Sequence, residues 1–246
     1  MQWEDEGIVL GARRFGETGV ILDLLTRARG RHAGLVRGGR SLRMQPVLQP
    51  GNSVAAVWRG RIEGQLGHFR VEPVASRAGR YLASPVALNG LGLLTELLRL
   101  LPEHDPHPAL YDATLVVLDH LDDAAIAPVL LVRLELALLA ELGFGLDLSQ
   151  CALTGATQDL VYVSPRSGRA VSRVAGEPYR ERLLALPAFL RDSGSGQGFM
   201  AGAGHPGDVA LRAAFALTGH FLARDLFHPR ERTLPDARAR LLSLLR

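Results

Sequence analysis

Residues 5–40 read DEGIVLGARRFGETGVILDLLTRARGRHAGLVRGGR, and this stretch decides the fold class. It contains three short apolar runs, at residues 8–10, 20–25 and 33–36, which are bounded by glycines and arginines. Such short runs between turn-forming residues are typical of β-strands, because a helix needs a longer segment to bury one face. The stretch therefore predicts three strands joined by short, arginine-rich turns.

Two more apolar runs, at residues 54–58 and 66–71, predict a fourth and a fifth strand. Five short strands without helical periodicity are typical of a small closed or nearly closed barrel. The OB-fold, a five-stranded barrel, fits this number and length of strands best. An SH3-like barrel or a sandwich remains an alternative, because strand number alone does not separate these folds.

The pattern becomes helical beyond the predicted barrel. Apolar residues recur at helical spacing in segments 89–101, 110–121, 128–142, 179–190, 208–226 and 234–245. Two short apolar runs, at residues 160–164 and 169–172, instead predict a β-hairpin. We therefore expect an α+β protein with an OB-fold DNA-binding domain at 1–78 and a helical domain at 79–246, which carries a hairpin insertion at about 151–176.

The formal net charge of +3 is unevenly distributed. Residues 1–80 contain 13 arginines and 7 acidic residues (+6), residues 81–150 contain 2 and 10 (−8), and residues 151–246 contain 13 and 8 (+5). Lysine is absent, so every cation except histidine is a guanidinium, which binds phosphate in bidentate geometry. Genomic base composition also explains the preference for arginine, but not its concentration at residues 1–80, which predicts a phosphate-binding surface.

The predicted DNA-binding residues are the arginines of the turns and strand ends, together with one aromatic ring that would stack on bases. They are Arg13, Arg14, Arg27, Arg29, Arg31, Arg37, Arg40, Arg43, Arg59, Arg61 and Trp58. Phe15 is a second candidate for stacking. For both rings the alternative is a place in the barrel core, and some arginines are expected to pair with Glu4, Glu17 or Asp23.

Motifs of common enzymes are missing: the sequence contains no Walker A, GxSxG or HExxH pattern. The segment GAGHPG at 202–207 matches a dinucleotide-binding pattern, but no strand precedes it, so we interpret it as a loop. Polar loop and helix-end positions favour a structural or surface role over metal binding for His104, His107, Asp119, Asp122 and Asp123. We expect no enzyme activity, no cofactor and no metal.

Cys151 is the only cysteine, which excludes an internal disulfide and fits a reducing cytoplasm. The acidic start MQWEDEG does not resemble a secretory signal. Charged residues, among them Arg133, Glu135 and Glu141, interrupt the most apolar window at 128–146, which therefore predicts a buried helix and not a membrane span. We expect a cytoplasmic protein associated with the nucleoid.

Three segments resemble the bacterial DNA repair protein RecO family. They are GIVLGARRFGETGVILDLLTRARGRHAGLVRGGRS at 7–41, LLTELLRLLPEHDPHPALYDATLVVL at 93–118 and LLVRLELALLAELGFGLDLSQC at 130–151. The first has the "VL" strand, the "GE" and "T…G" turns and the basic "G-R" segment with which that family opens. The resemblance covers nearly the whole chain.

The resemblance implies an N-terminal OB-fold and a helical C-terminal domain that often carries a small zinc-finger-like insertion. It also implies binding of single- and double-stranded DNA, strand annealing, and cooperation with RecR and RecF to load RecA onto DNA covered by single-strand-binding protein. The acidic, phenylalanine-ended tail of single-strand-binding protein is a further implied partner. Zinc-bearing members have two C-x-x-C pairs, whereas this chain has Cys151 with Thr154 and Ser172 with Ala175, so we expect a metal-free hairpin held by Leu160, Tyr162 and Val171.

The sequence therefore favours a non-enzymatic recombination mediator, with two alternatives. One is an adaptor of the repair machinery whose DNA contacts are secondary, and the other is a metal-assisted nuclease that uses the acids of residues 112–123. Arg133 is a candidate for binding the partner tail at the lip of an apolar groove. A local salt bridge from Arg133 to Glu135 or Glu141 is the alternative.

Overall fold

The computed structural model describes residues 1–61, 66–191, 199 and 206–245. The chain divides into two compact units, Met1–Asp122 and Asp123–Arg246. The glycine-rich segment 193–198 and most of the 202–207 motif lie outside the described residues. In the part of the chain that is described, no helix combines the length and the apolar character needed to cross a membrane.

Five strands form a closed barrel in the first unit. They are β1 (Gln2–Phe15), β2 (Gly19–Thr26), β3 (Gly30–Val36), β4 (Ser53–Arg59) and β5 (Gly67–Ala75), and they pair in the order β1-β2-β3-β5-β4. The β3–β5 pair is parallel and the other pairs are antiparallel. This strand order, closed by the parallel β3–β5 pair, confirms the predicted OB-fold over the SH3-like barrel and the sandwich.

Strand β1 is much longer than the predicted run at residues 8–10, because it pairs on both of its edges. Gln2 to Ile8 lie opposite β4, and Gly7 to Phe15 lie opposite β2. A register shift between Val9 and Gly11 lets the strand bend from one partner to the other. The ends of β1 carry charged residues because they are exposed on one face. They therefore lack the apolar run by which the strand was recognised in the sequence.

A pair of glycines closes the barrel where β3 meets β5. Gly34 and Gly67 are partners in the parallel pair, and two aromatic rings lie directly over them. A Cβ on Gly34 would be 2.4 Å from Cδ2 of Phe69, and a Cβ on Gly67 would be 2.3 Å from Cε2 of Trp58. Only glycine leaves room for these rings, which with Trp3 form the aromatic part of the barrel core.

Three helices complete the first unit: α1 (Ala78–Tyr81), α2 (Pro85–Leu98) and α3 (Pro108–Asp119). Ser84 caps α2 by accepting a hydrogen bond from the backbone of Ala87. The Tyr81 hydroxyl donates to the carbonyl of Leu118, 2.7 Å away, and so ties α1 to α3. The compact unit therefore extends beyond the barrel, while the domain boundary at residue 78 stays a prediction.

The second unit contains α4 (Ala127–Glu141), α6 (Asp208–Phe221) and α7 (Asp236–Leu244). A buried ion pair joins them: Glu135 of α4 accepts from Arg238 of α7 at 2.8 Å and 3.1 Å, and from the hydroxyl of Thr218 of α6. Helix α6 continues as a π-helical turn at Leu222–Phe227. Because both charges are paired and hydrogen-bonded, their burial is tolerated.

The predicted hairpin is confirmed as β6 (Leu160–Val163) and β7 (Ala170–Ser172), followed by the short helix α5 (Arg173–Gly176). The helix predicted at residues 179–190 is wrong. That segment contains two 3₁₀ turns, Glu177–Arg182 and Ala188–Leu190, on either side of β8 (Leu184–Ala185). Strand β8 pairs with β6, and Pro187, which lies inside the segment, prevents one continuous helix.

We expect Gly67→Ala to lower the free energy of unfolding by about 1–3 kcal/mol, because the added Cβ collides with the rigid indole of Trp58. Urea denaturation followed by far-UV circular dichroism measures this. Gly79→Ala is the matched control, since its Cβ would meet no atom within 4 Å. Equal stability of Gly67→Ala and the wild type would contradict the close packing of Trp58 against β5.

Candidate nucleic-acid interface

The barrel arginines lie at the ends of its strands and in the turns between them. Those whose guanidinium forms neither an ion pair nor a hydrogen bond with any described residue are all exposed, and they are Arg13, Arg14, Arg29, Arg37, Arg43, Arg59 and Arg61. Guanidinium groups that have no carboxylate partner are available to phosphates. These seven predicted residues therefore form the candidate interface, which we call the arginine surface.

Two of the predicted arginines are engaged within the protein. Arg27 forms a bidentate pair with Asp112 of α3, with both bonds at 2.9 Å. Arg31 bonds Asp23 at 3.2 Å and Glu103 at 3.0 Å, and it also donates to the carbonyls of Arg99 and Leu101. Arg31 is thus a structural residue that holds β3 against the segment following α2.

The pKa values of two carboxyl groups reflect these contacts. The hydrogen bond from Arg27 lowers the pKa of Asp112 below its usual value. Burial raises the pKa of Asp23, although Arg31 and Arg99 oppose this effect. The ion pairs themselves offset the positive charge that Arg27 and Arg31 would present to a phosphate.

Arg40 has an intermediate position. Its backbone amide donates to the carbonyl of Thr18 at 3.1 Å, and its guanidinium donates to the carbonyl of Glu17. These bonds join the β1–β2 turn to the loop that follows β3. Because carbonyls leave the cationic charge of Arg40 uncompensated, its side chain still contributes to the positive field of the arginine surface.

Trp58 lies in the barrel core. Its side chain is 1% exposed and stacks on Trp3, with ring centroids 5.8 Å apart and planes inclined by 10°. No ring face is open to a base, which removes the reason for selecting Trp58 from the sequence. Phe15, for which the core was the alternative, is instead 49% exposed at the end of β1.

Arg133 lies inside the second unit and not at the lip of a groove. It is 2% exposed, and it donates to the carbonyls of Phe199 and Phe189 at 2.7 Å and 3.0 Å. Its expected alternative partner Glu135 pairs with Arg238 instead. A tail-binding arginine was expected at the exposed lip of a groove, whereas the side chain of Arg133 is buried.

A groove of about 780 Å³ crosses the barrel surface along β4 and β5. It is lined by Arg37 and Arg59 of the arginine surface. His68 and Arg70, which were not among the residues predicted from the sequence, also line it. Arg70 alternates along β5 with the buried residues Phe69 and Val71, and this period of two is the signal that would have placed it on the outer face. Its one ion pair, with Glu72 at 3.4 Å, is exposed and weak.

The insertion offers poor ligands for zinc. Cys151 is buried, and its sulfur accepts the backbone amide of Ser172 at 3.3 Å. Burial acts to raise the pKa of Cys151, but hydrogen bonds from Ser172 and Thr154 outweigh it and lower the pKa to about 6. One thiol with two hydroxyls does not match a tetrahedral zinc site of thiolates and imidazoles. Within the described residues, no three His, Cys, Asp or Glu side chains converge as metal ligands.

The acids proposed for a nuclease have other partners. Asp119 pairs with Arg77 at 2.7 Å, and Asp122 pairs with Arg80 at 2.7 Å. Asp123 accepts the backbone amides of Ala125 and Ile126 ahead of α4. The two ion pairs hold the C-terminal end of α3, and the bonds to Asp123 order the turn before α4. These carboxylates would have to give up their present partners to bind a metal ion.

Comparison with known proteins covers both units. Family models described as Recombination protein O N terminal and Recombination protein O C terminal match residues 1–77 and 83–235. The chain is 58% identical over 245 residues to DNA repair protein RecO of Methylorubrum populi and 60% identical over 246 residues to that of Methylobacterium nodulans, covering 99% of this chain and 98% of each relative. The protein of the same name from Mesorhizobium japonicum is 54% identical over 246 residues, which cover 100% of this chain and 94% of the relative. With both of its parts matched and these relatives aligned over almost their whole length, the chain belongs to the RecO family.

Proposed function

We propose that this chain is a DNA-binding recombination mediator in the repair of gaps and double-strand breaks. It binds single- and double-stranded DNA on the arginine surface, anneals complementary strands, and helps RecA load onto DNA covered by single-strand-binding protein. The observation that supports this is the set of exposed barrel arginines without an ion pair to any described residue. The names of the relatives, which are DNA repair proteins, agree with it.

The proposed mechanism needs no catalytic residue. Guanidinium groups neutralise the phosphates of two strands and so reduce the repulsion between them, while the bases stay free to pair. Base pairing then supplies the free energy of annealing, so neither nucleotide hydrolysis nor a metal is required. In this proposal residues 1–78 carry the DNA and residues 79–246 form the helical domain.

The proposed partners come from the family to which the chain belongs. They are RecR, the acidic tail of single-strand-binding protein, and functionally RecF and RecA. We assign the tail no site, because Arg133 is enclosed in the second unit. Since DNA is the proposed ligand, we propose that the protein acts in the cytoplasm at the nucleoid.

A second candidate function is that of an adaptor for protein partners with secondary DNA contacts. It is favoured by apolar side chains that the insertion and its neighbourhood expose: Leu153 at 63%, Val174 at 84% and Tyr179 at 54%. Exposed apolar side chains of this size are common at protein–protein interfaces. The two functions differ in whether removal of barrel arginines or of these apolar side chains abolishes repair.

Replacing Arg13, Arg37 and Arg59 by glutamine should reduce DNA affinity and its dependence on salt. The slope of log K against log salt is negative, and the loss of three phosphate contacts should make it shallower by roughly 2 for single strands. Fluorescence anisotropy of a labelled oligonucleotide across salt concentrations measures this slope, and circular dichroism checks the fold.

The matched control removes the same number of charges from the second unit, by replacing Arg173, Arg180 and Arg182 with glutamine. Arg173 pairs with Asp159 and Arg180 with Glu177, so fewer phosphate contacts should be lost there. Equal decreases of the slope in the two triple variants would mean that the barrel is not the principal DNA surface.

Arg27 and Arg29 provide a second matched comparison, because both are exposed in the same β2–β3 turn. Arg27 is paired with Asp112, whereas Arg29 has no ion pair among the described residues. We expect Arg29→Gln to weaken DNA binding by about threefold, a typical loss for one exposed charged contact, and Arg27→Gln to weaken it less. If Arg27→Gln has the larger effect in the same anisotropy titration, ion pairing does not decide which arginines bind DNA.

Annealing and cleavage are separated in one assay. We expect the chain to accelerate pairing of complementary labelled oligonucleotides at low salt and to leave both strands at full length in the presence of Mg²⁺. Energy transfer between the labels reports pairing, and denaturing gel electrophoresis reports length. Shortened strands would support the nuclease alternative, and normal DNA binding without faster pairing would support the adaptor.

A further inference from the structure

A second pocket, of about 610 Å³, lies beside the arginine surface between the β1–β2 turn and the loop that follows β3. We call it the turn pocket. Its apolar part includes Val20 and Leu48, which are both buried. Arg14 and Arg40 supply positive charge, and its volume falls within the usual range for small-ligand sites, roughly 300–1,000 Å³.

The turn pocket is preformed. The two bonds from Arg40 to the carbonyls of Thr18 and Glu17 join its two sides. On the far side, the side-chain amides of Gln45 and Gln49 donate to the carbonyls of Arg40 and Gln45, at 2.8 Å and 2.9 Å. A ligand therefore meets walls that are already ordered, which lowers the entropic cost of binding.

Besides the two arginines, which only donate, the polar side chains of the turn pocket are the acceptors Glu17, Gln45 and Gln49 and the hydroxyls of Thr18 and Ser41, which donate or accept. The side-chain nitrogens of Gln45 and Gln49 donate to backbone carbonyls. Their Oε1 atoms accept no hydrogen bond from a described residue, so they are available to a ligand. Glu17 adds a carboxylate that forms no ion pair in the described part of the chain. A flat ligand that carries amino groups, with a phosphate for the arginines, complements this arrangement.

We propose that the turn pocket holds one unpaired nucleotide of the bound strand and prefers a base with an exocyclic amino group (cytosine, adenine or guanine) over thymine. This rests on the proposed DNA binding and deepens it. Glu17 and the glutamine oxygens accept from the amino group of the base, and Arg14 and Arg40 contact the flanking phosphates. Thymine presents carbonyl oxygens where these acceptors lie, so it fits less well.

A consequence for annealing is that the strand is anchored at one nucleotide while its neighbours remain free to pair. Duplex DNA has no unpaired base to offer, and flipping one out costs stacking and pairing. Occupancy of the turn pocket therefore distinguishes single strands from duplexes, which the phosphate contacts of the arginine surface alone do not.

The test compares a 15-nucleotide oligo-dT with the same strand carrying one central dC, using the full chain and fluorescence anisotropy at one salt concentration. We expect about threefold tighter binding of the strand with dC, which lies within the net contribution of one ordinary hydrogen bond. Glu17→Gln should bind oligo-dT more tightly, because a negative charge is lost, yet lower the ratio of the two affinities, because a neutral amide oxygen is a weaker acceptor than a carboxylate. Gln45→Met, in another segment of the wall, should also reduce the ratio.

Glu4→Gln is the matched control, since it removes the same charge outside the turn pocket and should keep the ratio. Equal binding of both strands by the wild type, or an unchanged ratio in Glu17→Gln, overturns this inference alone. Failure of the wild type to bind either strand overturns the proposed function as well. Competition by free dCMP at the concentration of the strand would show a mononucleotide site and contradict the proposed anchoring of a strand.

Discussion

The closure of the barrel at Gly34 and Gly67 is the constraint on which the rest of the first unit depends. At this one short parallel pairing, Phe69 and Trp58 lie so close to the two strands that no Cβ fits. Closure sets where the strands end, and the strand ends carry the arginines. A small change at these glycines would therefore act on the arginine surface although neither glycine carries a charge.

The same closure explains the division of labour among the aromatic residues. An OB-fold of this size has room for few large side chains, and the stacked pair of Trp3 and Trp58 fills its centre. A ring that closes the core cannot also serve as a stacking surface, because its faces are in contact with protein. Exposed apolar groups next to the arginines are instead found on the turns, at Phe15 and at Leu42, which is 88% exposed.

The fold class was predictable from the sequence because it depends on local patterns. Short apolar runs between glycines indicated all five barrel strands, and the hairpin at Leu160–Val163 and Ala170–Ser172 was equally visible. The errors arose where a distant partner decides the local structure. Residues 179–190 have helical spacing, but β6 recruits Leu184–Ala185 as an edge strand, and this partner precedes it by about 20 residues.

The candidate site was less predictable for a related physical reason. Arginines are equivalent in a sequence until their neighbours are known, and Arg27 and Arg29 differ only because Asp112 approaches one of them in the fold. Charge counting therefore identified a segment rich in exposed arginines, but not which of their guanidinium groups are free of ion pairs. Arg133 shows the same limit, since an isolated cation in an acidic helical segment looks exposed, whereas in the structure backbone carbonyls surround it.

Pairing also decides what kind of DNA contact the barrel can make. Free guanidinium groups on mobile side chains attract phosphates of any sequence and any strandedness, and salt weakens them all alike. Selectivity for single strands requires a group that meets a base, and such a group must be held in place before the DNA arrives. Arg40 is not part of the arginine surface, and the two bonds that hold it also order the turn pocket. In the proposed function, the free arginines attract the strand, whereas the bonded Arg40 fixes the two sides of the turn pocket, in which one base is proposed to lie.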